Sequence, residues 1–224
     1  MARLPRVCIA GALHLVVQRS QPGLALFDDA IDRRSYLDAL REAAREKGIA
    51  VHAWGLLASE ARLLATPTMA DVLGRALQSV GRRFGAAFNR RHERSGGLWQ
   101  GRYRAVPVDP ASGFIACLRF VEAQTDAARA SSAAHHLGDL RDPLVADHAA
   151  YWHLGNTPFD REASYRRLRE QALTIEEKER IEAALRGGWP IGPDAFVSAL
   201  QSTGSRRLVR LAPGRKKIVP IRIE

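Results

Sequence analysis

Cysteine and acid are scarce in this sequence, and a long apolar run is missing. Cys8 and Cys117 are the only cysteines among 224 residues. Neither belongs to a CxxC pair or a Cys/His cluster, which argues against a zinc finger. Cys117 falls in an apolar helical pattern and is expected as a small buried hydrophobe, and Cys8 reads the same way. No apolar stretch approaches the roughly 18 residues that a membrane span needs. The start, MARLPRVCIAGALHL, lacks the long apolar core and small-residue cleavage site of a secretory signal. The expectation is a cytoplasmic protein with no membrane partner. Acids number 24 against 34 lysines and arginines, a formal charge of +10 with a pI near 10.5. That imbalance favours polyanionic partners, and nucleic acid ahead of a membrane surface. The length allows one sizeable core, or one main domain with a small appendage.

What the chain does have is arginine, concentrated in Arg82 to Arg104, RRFGAAFNRRHERSGGLWQGRYR. Arg75, Arg82, Arg83, Arg90, Arg91, Arg94, Arg102 and Arg104 stand in or beside it, against the single acid Glu93. A guanidinium is a rigid donor fork that matches phosphate oxygens. Phe84, Phe88, Trp99 and Tyr103 are interleaved to pack the segment or to stack on bases, and Trp99 and Tyr103 join the arginines as candidate DNA contacts. A second basic stretch, with Arg206, Arg207, Arg215, Lys216 and Lys217, reads as a phosphate-contacting arm.

Periodicity gives the order strand, helix, strand, strand, helix, strand, helix. Strands are expected at residues 12–18, 50–57, 61–66 and 101–108, with a hairpin joining the middle two. A first helix over 29–47 is capped by Asp28 or Asp29, ended by Gly48, and striped by Arg33, Leu37, Leu40 and Ala44. A second, over 69–89, carries the apolar stripe Leu73, Leu77, Val80, Phe84, Phe88, with arginine on its other face. A third, over 112–130, turns Phe114, Cys117, Leu118 and Val121 inward. This is an α+β pattern, a small antiparallel sheet covered by helices and close to ferredoxin-like topology. Three regions are expected: 1–130 as the sheet-bearing domain, 131–205 as a helical C-terminal region, and 206–224 as a basic tail. Within the second, Asp139 to Pro143 is loop-like, as is the pair His135-His136. Helices are expected at 161–172, 175–185 and 194–201, with Thr174 and Glu177 as a capping box.

FNRRHERSGGLWQGRYR, Phe88 to Arg104, resembles the signature of the REP-associated tyrosine transposases, relatives of the IS200/IS605-type transposases in the HUH (Y1) single-strand nuclease class. The resemblance extends to GALHLVVQRS at Gly11 to Ser20, HLGDLRDPL at His136 to Leu144, the Tyr151 to Leu168 region, and GWPIGPDAFVSAL at Gly188 to Leu200. It implies a DNA-cleaving fold in which a His-x-His pair on one strand holds a divalent metal, and a helical tyrosine attacks the scissile phosphate. A polar residue one helical turn later is the third ligand.

The matching positions here read Glu60-Ala61-Arg62 for the histidine pair, Phe120 for the tyrosine and Gln124 for the third ligand. Arg62 is a cation and repels a metal; Phe120 has no oxygen to attack phosphorus. Glu60 and Gln124 alone keep donor atoms, so neither catalytic residues nor a metal are expected, and magnesium or manganese matters only if a catalytic site survives. The resulting expectation is a transposase-like protein that binds single-stranded or hairpin DNA, such as a REP-like palindrome, without cutting it. Two alternatives stay open. One is an active nuclease with a relocated tyrosine, Tyr103 first, and the other is a module for RNA or an acidic protein. The seven histidines show no metal-ligand spacing, and His14 and His52 read as satisfied strand residues. Monomer and homodimer are equally compatible with the composition.

Overall fold

Alternating apolar residues in four short segments build one sheet. In the computed structural model of the chain, which describes residues 7–123, 130–203 and 207–208, these are His14–Arg19 (β1), Ile49–Leu57 (β2), Glu60–Pro67 (β3) and Arg104–Pro107 (β4). They pair in the order β2-β3-β1-β4, each neighbouring pair antiparallel. Ala30–Lys47 (α1) and Val72–Arg91 (α2) cover one face, and Pro110–Val121 (α3) packs on the other. This is the ferredoxin-like arrangement the element order implies. Successive strand residues alternate between the two faces. Accordingly Val16, Leu63 and Ala105 join the cluster under α1 and α2, while Leu15, Val17, Leu64 and Val106 join the cluster under α3.

Local chemistry sets the helix ends. The Asp29 side chain accepts from the Ile31 and Asp32 amides at the start of α1, and Gly48, at φ 65°, closes its end by donating to Ala44. The apolar stripe expected on α2 is buried in full. On α1 the buried face is rotated: Asp32, Tyr36, Ala39, Leu40, Ala43 and Ala44 point inward, whereas Arg33 and Leu37 are only half-buried. The reason is Tyr36, whose ring meets Phe27 and Phe84 edge-on at 5.1 and 5.4 Å and takes the centre of the contact.

Several boundaries differ from the sequence pattern, and three differences have a visible cause. β4 begins at Arg104 rather than 101, because Gly101 turns the chain at φ 71° and Tyr103 packs back against the α1–α2 cluster. α3 ends at Val121 rather than near 130. His135 and His136 lie on the short helix Ala133–His136 (α4), not in a loop.

The second and third differences share a cause, the carboxylate of Glu122. At the end of α3 its side chain is fully buried, and it collects donors from three elements. Ser132 Oγ donates to Oε1 at 2.5 Å, His136 Nδ1 to the same oxygen at 2.7 Å, and Tyr165 Oη to Oε2 at 2.5 Å. Ser132 Oγ in turn accepts from the Trp54 amide of β2 at 2.9 Å, and Tyr151 Oη donates to the His136 carbonyl at 2.6 Å. Burial, with the nearby Glu122 charge, raises the Tyr165 phenol well above its ordinary pKa, so it stays a donor. The helices that follow, Ala149–Trp152 (α5), Pro158–Glu170 (α6) and Ile175–Gly187 (α7), thereby share one apolar cluster with α3 and the sheet. The last described helix is Asp194–Thr203 (α8).

The end of α3 comes so near β2 that a Cβ on Gly55 would lie 2.0 Å from the Val121 carbonyl oxygen. Only glycine permits that approach. α6 and α7 both start with complete capping boxes, Thr157 with Asp160 and Thr174 with Glu177; the first has no counterpart among the sequence expectations.

Glu122→Gln replaces one acceptor oxygen with a donor facing donors and should cost about 3 kcal/mol, measured by urea unfolding. His14 and His52 set a pH dependence. His14 Nδ1 bonds the Ala12 carbonyl at 2.7 Å, and His52 bridges the Ala146 carbonyl and Thr66 Oγ1 at 2.6 and 2.9 Å. Burial lowers the pKa of each from 6.5 to about 4. Between those values the unfolded chain binds protons that the fold refuses. Stability is therefore full above pH 6.5 and falls as the pH drops toward 4, by roughly 3 kcal/mol per histidine. Denaturant midpoints across that range check this.

Candidate nucleic-acid interface

α2 carries glycines at 74, 81 and 85, each costing about 1 kcal/mol of helix propensity. Their spacing of seven and four puts them on one side of the helix. The loop between α2 and β4 packs onto that stripe. A Cβ on Gly74 would meet Tyr103 Oη at 3.2 Å, one on Gly81 would meet Trp99 Nε1 at 3.4 Å, and one on Gly85 would meet Leu98 at 3.9 Å. The Gln21 amide donates to the Leu98 carbonyl and the Gln100 amide to the Arg19 carbonyl, which ties the other edge of the loop to the end of β1.

The aromatics of the arginine segment thus serve packing. Phe84 and Phe88 are buried, and Trp99 sits 6.2 Å from both Tyr36 and Phe84. Trp99 and Tyr103, candidate DNA contacts by sequence, are half-buried against the α1–α2 cluster.

The arginines divide into two groups. Arg83 pairs with Glu42 and Glu46, and Arg91 with Asp29 and Asp32, all on α1 or its cap. Arg94 folds over Phe88 at 5.9 Å, with one terminal nitrogen buried. These three hold the fold together. Arg75, Arg82, Arg90, Arg102 and Arg104 are exposed, and none forms an ion pair with an acid among the described residues. Arg75 and Arg82 share the outward face of α2. Arg102, on the loop that α2 supports, and Arg104, the first residue of β4, flank Tyr103. Arg207 is exposed, whereas Arg206, Arg215, Lys216 and Lys217 lie outside the described residues.

Across the sheet, Val17 pairs with Arg62 on one side and Arg104 on the other, so the two arginines face the same way, two strands and about 10 Å apart. Arg19 and Glu60 form the next pair. Arg62 and Arg104 thus lie on the sheet face that α3 covers, separated by the buried Val17, whereas Arg75 and Arg82 lie on the other side of the molecule.

At Arg62 the positions expected to be degenerate meet. Glu60 accepts from Arg62 Nε through Oε1 and from Arg19 Nε through Oε2, both at 2.5 Å. Arg62 Nη1 donates to the Phe120 carbonyl at 2.7 Å, and its guanidinium carbon stands 4.1 Å above the Phe120 ring. Phe120 is 2% exposed. Burial alone would raise the Glu60 pKa; the Arg62 charge and the hydrogen bonds from Arg19 and Arg62 outweigh it and hold the carboxyl below its ordinary value. Each Glu60 oxygen is already engaged by a guanidinium, and a dication there would sit beside two fixed positive charges. These residues do not fit a divalent metal. Gln124 lies outside the described residues. Among those described, no group of three or more His, Cys, Asp or Glu side chains is arranged to hold one.

The chain's four tyrosines are placed elsewhere. Tyr36, Tyr151 and Tyr165 are buried, and Tyr103 lies against α2, across the sheet from Arg62 and Phe120. Cys117 is buried, its thiol pushed up to about 12 by burial; Cys8 is half-buried and its thiol is raised for the same reason.

Beside Phe120 a cavity of ≈ 440 Å³ opens between the end of α3 and the α6–α7 connection, lined by Arg62, Arg119, Arg169 and Lys178 among others. The last three were not singled out in the sequence, where they stand as scattered charges. Glu122 did leave a signal, an acid inside the apolar run Phe120-Val121-Glu122-Ala123.

No family model and no curated protein matches the chain. Solved structures do. A REP-associated tyrosine transposase bound to a REP hairpin superposes with a TM-score of 0.53 at 13% identity, over 67% of this chain and 96% of that one. A putative transposase from Deinococcus radiodurans R1 gives a TM-score of 0.38 at 20% identity, over 48% of this chain and 87% of that one. The four-stranded antiparallel sheet with flanking helices and a helical extension is the HUH/Y1 transposase-like α+β fold.

Glu60→Gln removes the charge that neutralises Arg62, a side chain only 13% exposed, and should destabilise the fold by about 2 kcal/mol. Adding Arg62→Met should restore much of the loss, because the uncompensated cation goes too. Urea unfolding of the two variants measures both effects.

Proposed function

We propose that this protein binds single-stranded or hairpin DNA and does not cleave it. The observation that carries the proposal is the set of exposed arginines without acid partners among the described residues: Arg75, Arg82 and Arg90 on α2, Arg102 on the loop that packs on its glycine stripe, and Arg104 at the start of β4. Guanidinium groups left unneutralised on a rigid support suit a phosphate backbone, and their cost to the fold makes sense if a polyanion completes them. The fold is shared with a transposase solved on a REP hairpin, which supports a hairpin as the ligand.

The lack of cleavage rests on Arg62 and Phe120. A guanidinium stacked on a phenylalanine ring occupies the place where the resemblance implies a metal and a tyrosine. Binding is separable from that loss, because phosphate contacts use the α2 and β4 arginines rather than reacting groups. An oligomeric state is not required.

Affinity for a labelled DNA hairpin should fall steeply with salt, and Arg82→Gln with Arg102→Gln should flatten the log–log slope by about 1.5. No strand scission and no covalent adduct should form with magnesium or manganese. An affinity independent of salt would sink the electrostatic account, and a covalent adduct would overturn the loss of cleavage. Tighter binding of structured RNA or an acidic protein in competition would point to a different polyanion.

A further inference from the structure

The cavity next to Phe120 has a construction that the basic outer face does not explain. Its floor is Phe120 and the buried Glu122, and its far wall is the connection between α6 and α7. Arg119 fixes that wall: it donates to the Gln171 carbonyl and stands 3.8 Å from Glu177 at the start of α7. The wall is thus attached to α3 before any ligand arrives, which lowers the ordering cost of binding.

Two cations on the lining have capacity to spare. Arg169 Nη1 is buried with no hydrogen-bond acceptor, 3.6 Å from Glu122 Oε2, too far for a hydrogen bond. The Glu122 oxygens are already taken by Ser132, His136 and Tyr165. Lys178 is exposed on α7, and its side chain pairs with no acid among the described residues. Arg62 and Arg119 also line the space, each already paired with an acid, Glu60 and Glu177, beside the lining acids Glu122 and Glu170. An unsatisfied buried guanidinium donor facing the same cavity as a lysine without an acid partner among the described residues calls for an anion.

We infer that this cavity is a phosphate-binding pocket, and that its ligand is the terminal phosphomonoester of a nucleotide, either free or at the end of a DNA strand. A space of ≈ 440 Å³ with the apolar side chains of Leu57, Phe120 and Leu173 beside its cations suits a nucleotide, base and phosphate together. A monoester is favoured over an internal diester because its second negative charge matches a lining with several cations. The identity of the carrier as DNA rests on the nucleic-acid reading above; the pocket itself does not.

The experiment compares one hairpin oligonucleotide carrying a 5′-phosphate, a 3′-phosphate or hydroxyls at both ends, with dTMP as the free nucleotide, by calorimetric titration. One phosphorylated form should bind about tenfold tighter than the hydroxyl form, or dTMP should bind on its own. Lys178→Gln, a surface change that leaves the fold intact, should weaken that preference several-fold, and Arg169→Gln should abolish it. Arg82→Gln should lower hairpin affinity while leaving the phosphate preference in place. Equal affinity for all three hairpins together with no dTMP binding overturns the pocket and leaves the DNA reading standing. Binding of dTMP that needs Arg169 and Lys178, with no affinity for any hairpin, supports the pocket and removes the DNA reading.

Discussion

A carboxylate without access to water fixes how this chain is assembled. Glu122 stands at the point where α3 runs out of helix, and an ionised side chain buried there requires donors on both oxygens. The chain supplies them from Ser132, His136 and Tyr165, residues from three places along the later sequence. Ser132 passes the constraint to the backbone of β2 through Trp54, and the His136 carbonyl passes it to Tyr151. The helical region cannot move away from the sheet without stranding that charge. Gly55 makes the same point sterically, since the last carbonyl of α3 occupies the volume of its missing side chain. The wall of the phosphate pocket is positioned by the same requirement, because α6 carries both Tyr165 and Arg169.

A second charge pattern lies one turn away. Glu60 is shared by Arg19 and Arg62, and Arg62 also satisfies the Phe120 carbonyl and covers its ring. An arginine in this position brings a permanent positive charge to a site under the sheet without needing a bound ion. It can hold a phosphate oxygen but cannot take water or a nucleophile into a coordination shell and exchange them as a metal does. The guanidinium and the ring beneath it form a fixed positive charge on an apolar base, and neither carries a nucleophilic oxygen.

The elements of the fold were legible because their signals are local. Alternation marked four strands, the run Leu73, Leu77, Val80, Phe84, Phe88 marked the buried side of α2, and Gly48 and Thr174 marked helix ends as capping chemistry requires. The boundaries that differed are those decided at a distance. α3 stops where Glu122 must turn inward, and β4 is short because Tyr103 packs on Gly74. The sequence singles out Glu60, Arg62 and Phe120 one at a time, whereas their mutual contacts arise only from tertiary packing. Nothing in the spacing of Arg119, Arg169 and Lys178 announces a shared cavity, since only tertiary packing of α3 against α6 and α7 unites them.

Arginine abundance alone therefore says little about which charges face a ligand. Arg83 and Arg91 sit in the densest part of the basic segment, yet each is bound to two acids of α1 or its cap and acts as a strut between helices. Their pairing has a consequence for their neighbours. α2 is held at a fixed rotation on α1, which turns Arg75 and Arg82 outward and presents the glycine stripe to the loop that carries Arg102. A helix free to roll would spread those charges over many orientations and lose the match to a phosphate chain. In the proposed DNA complex the paired arginines would contribute through rigidity and the unpaired ones through contact.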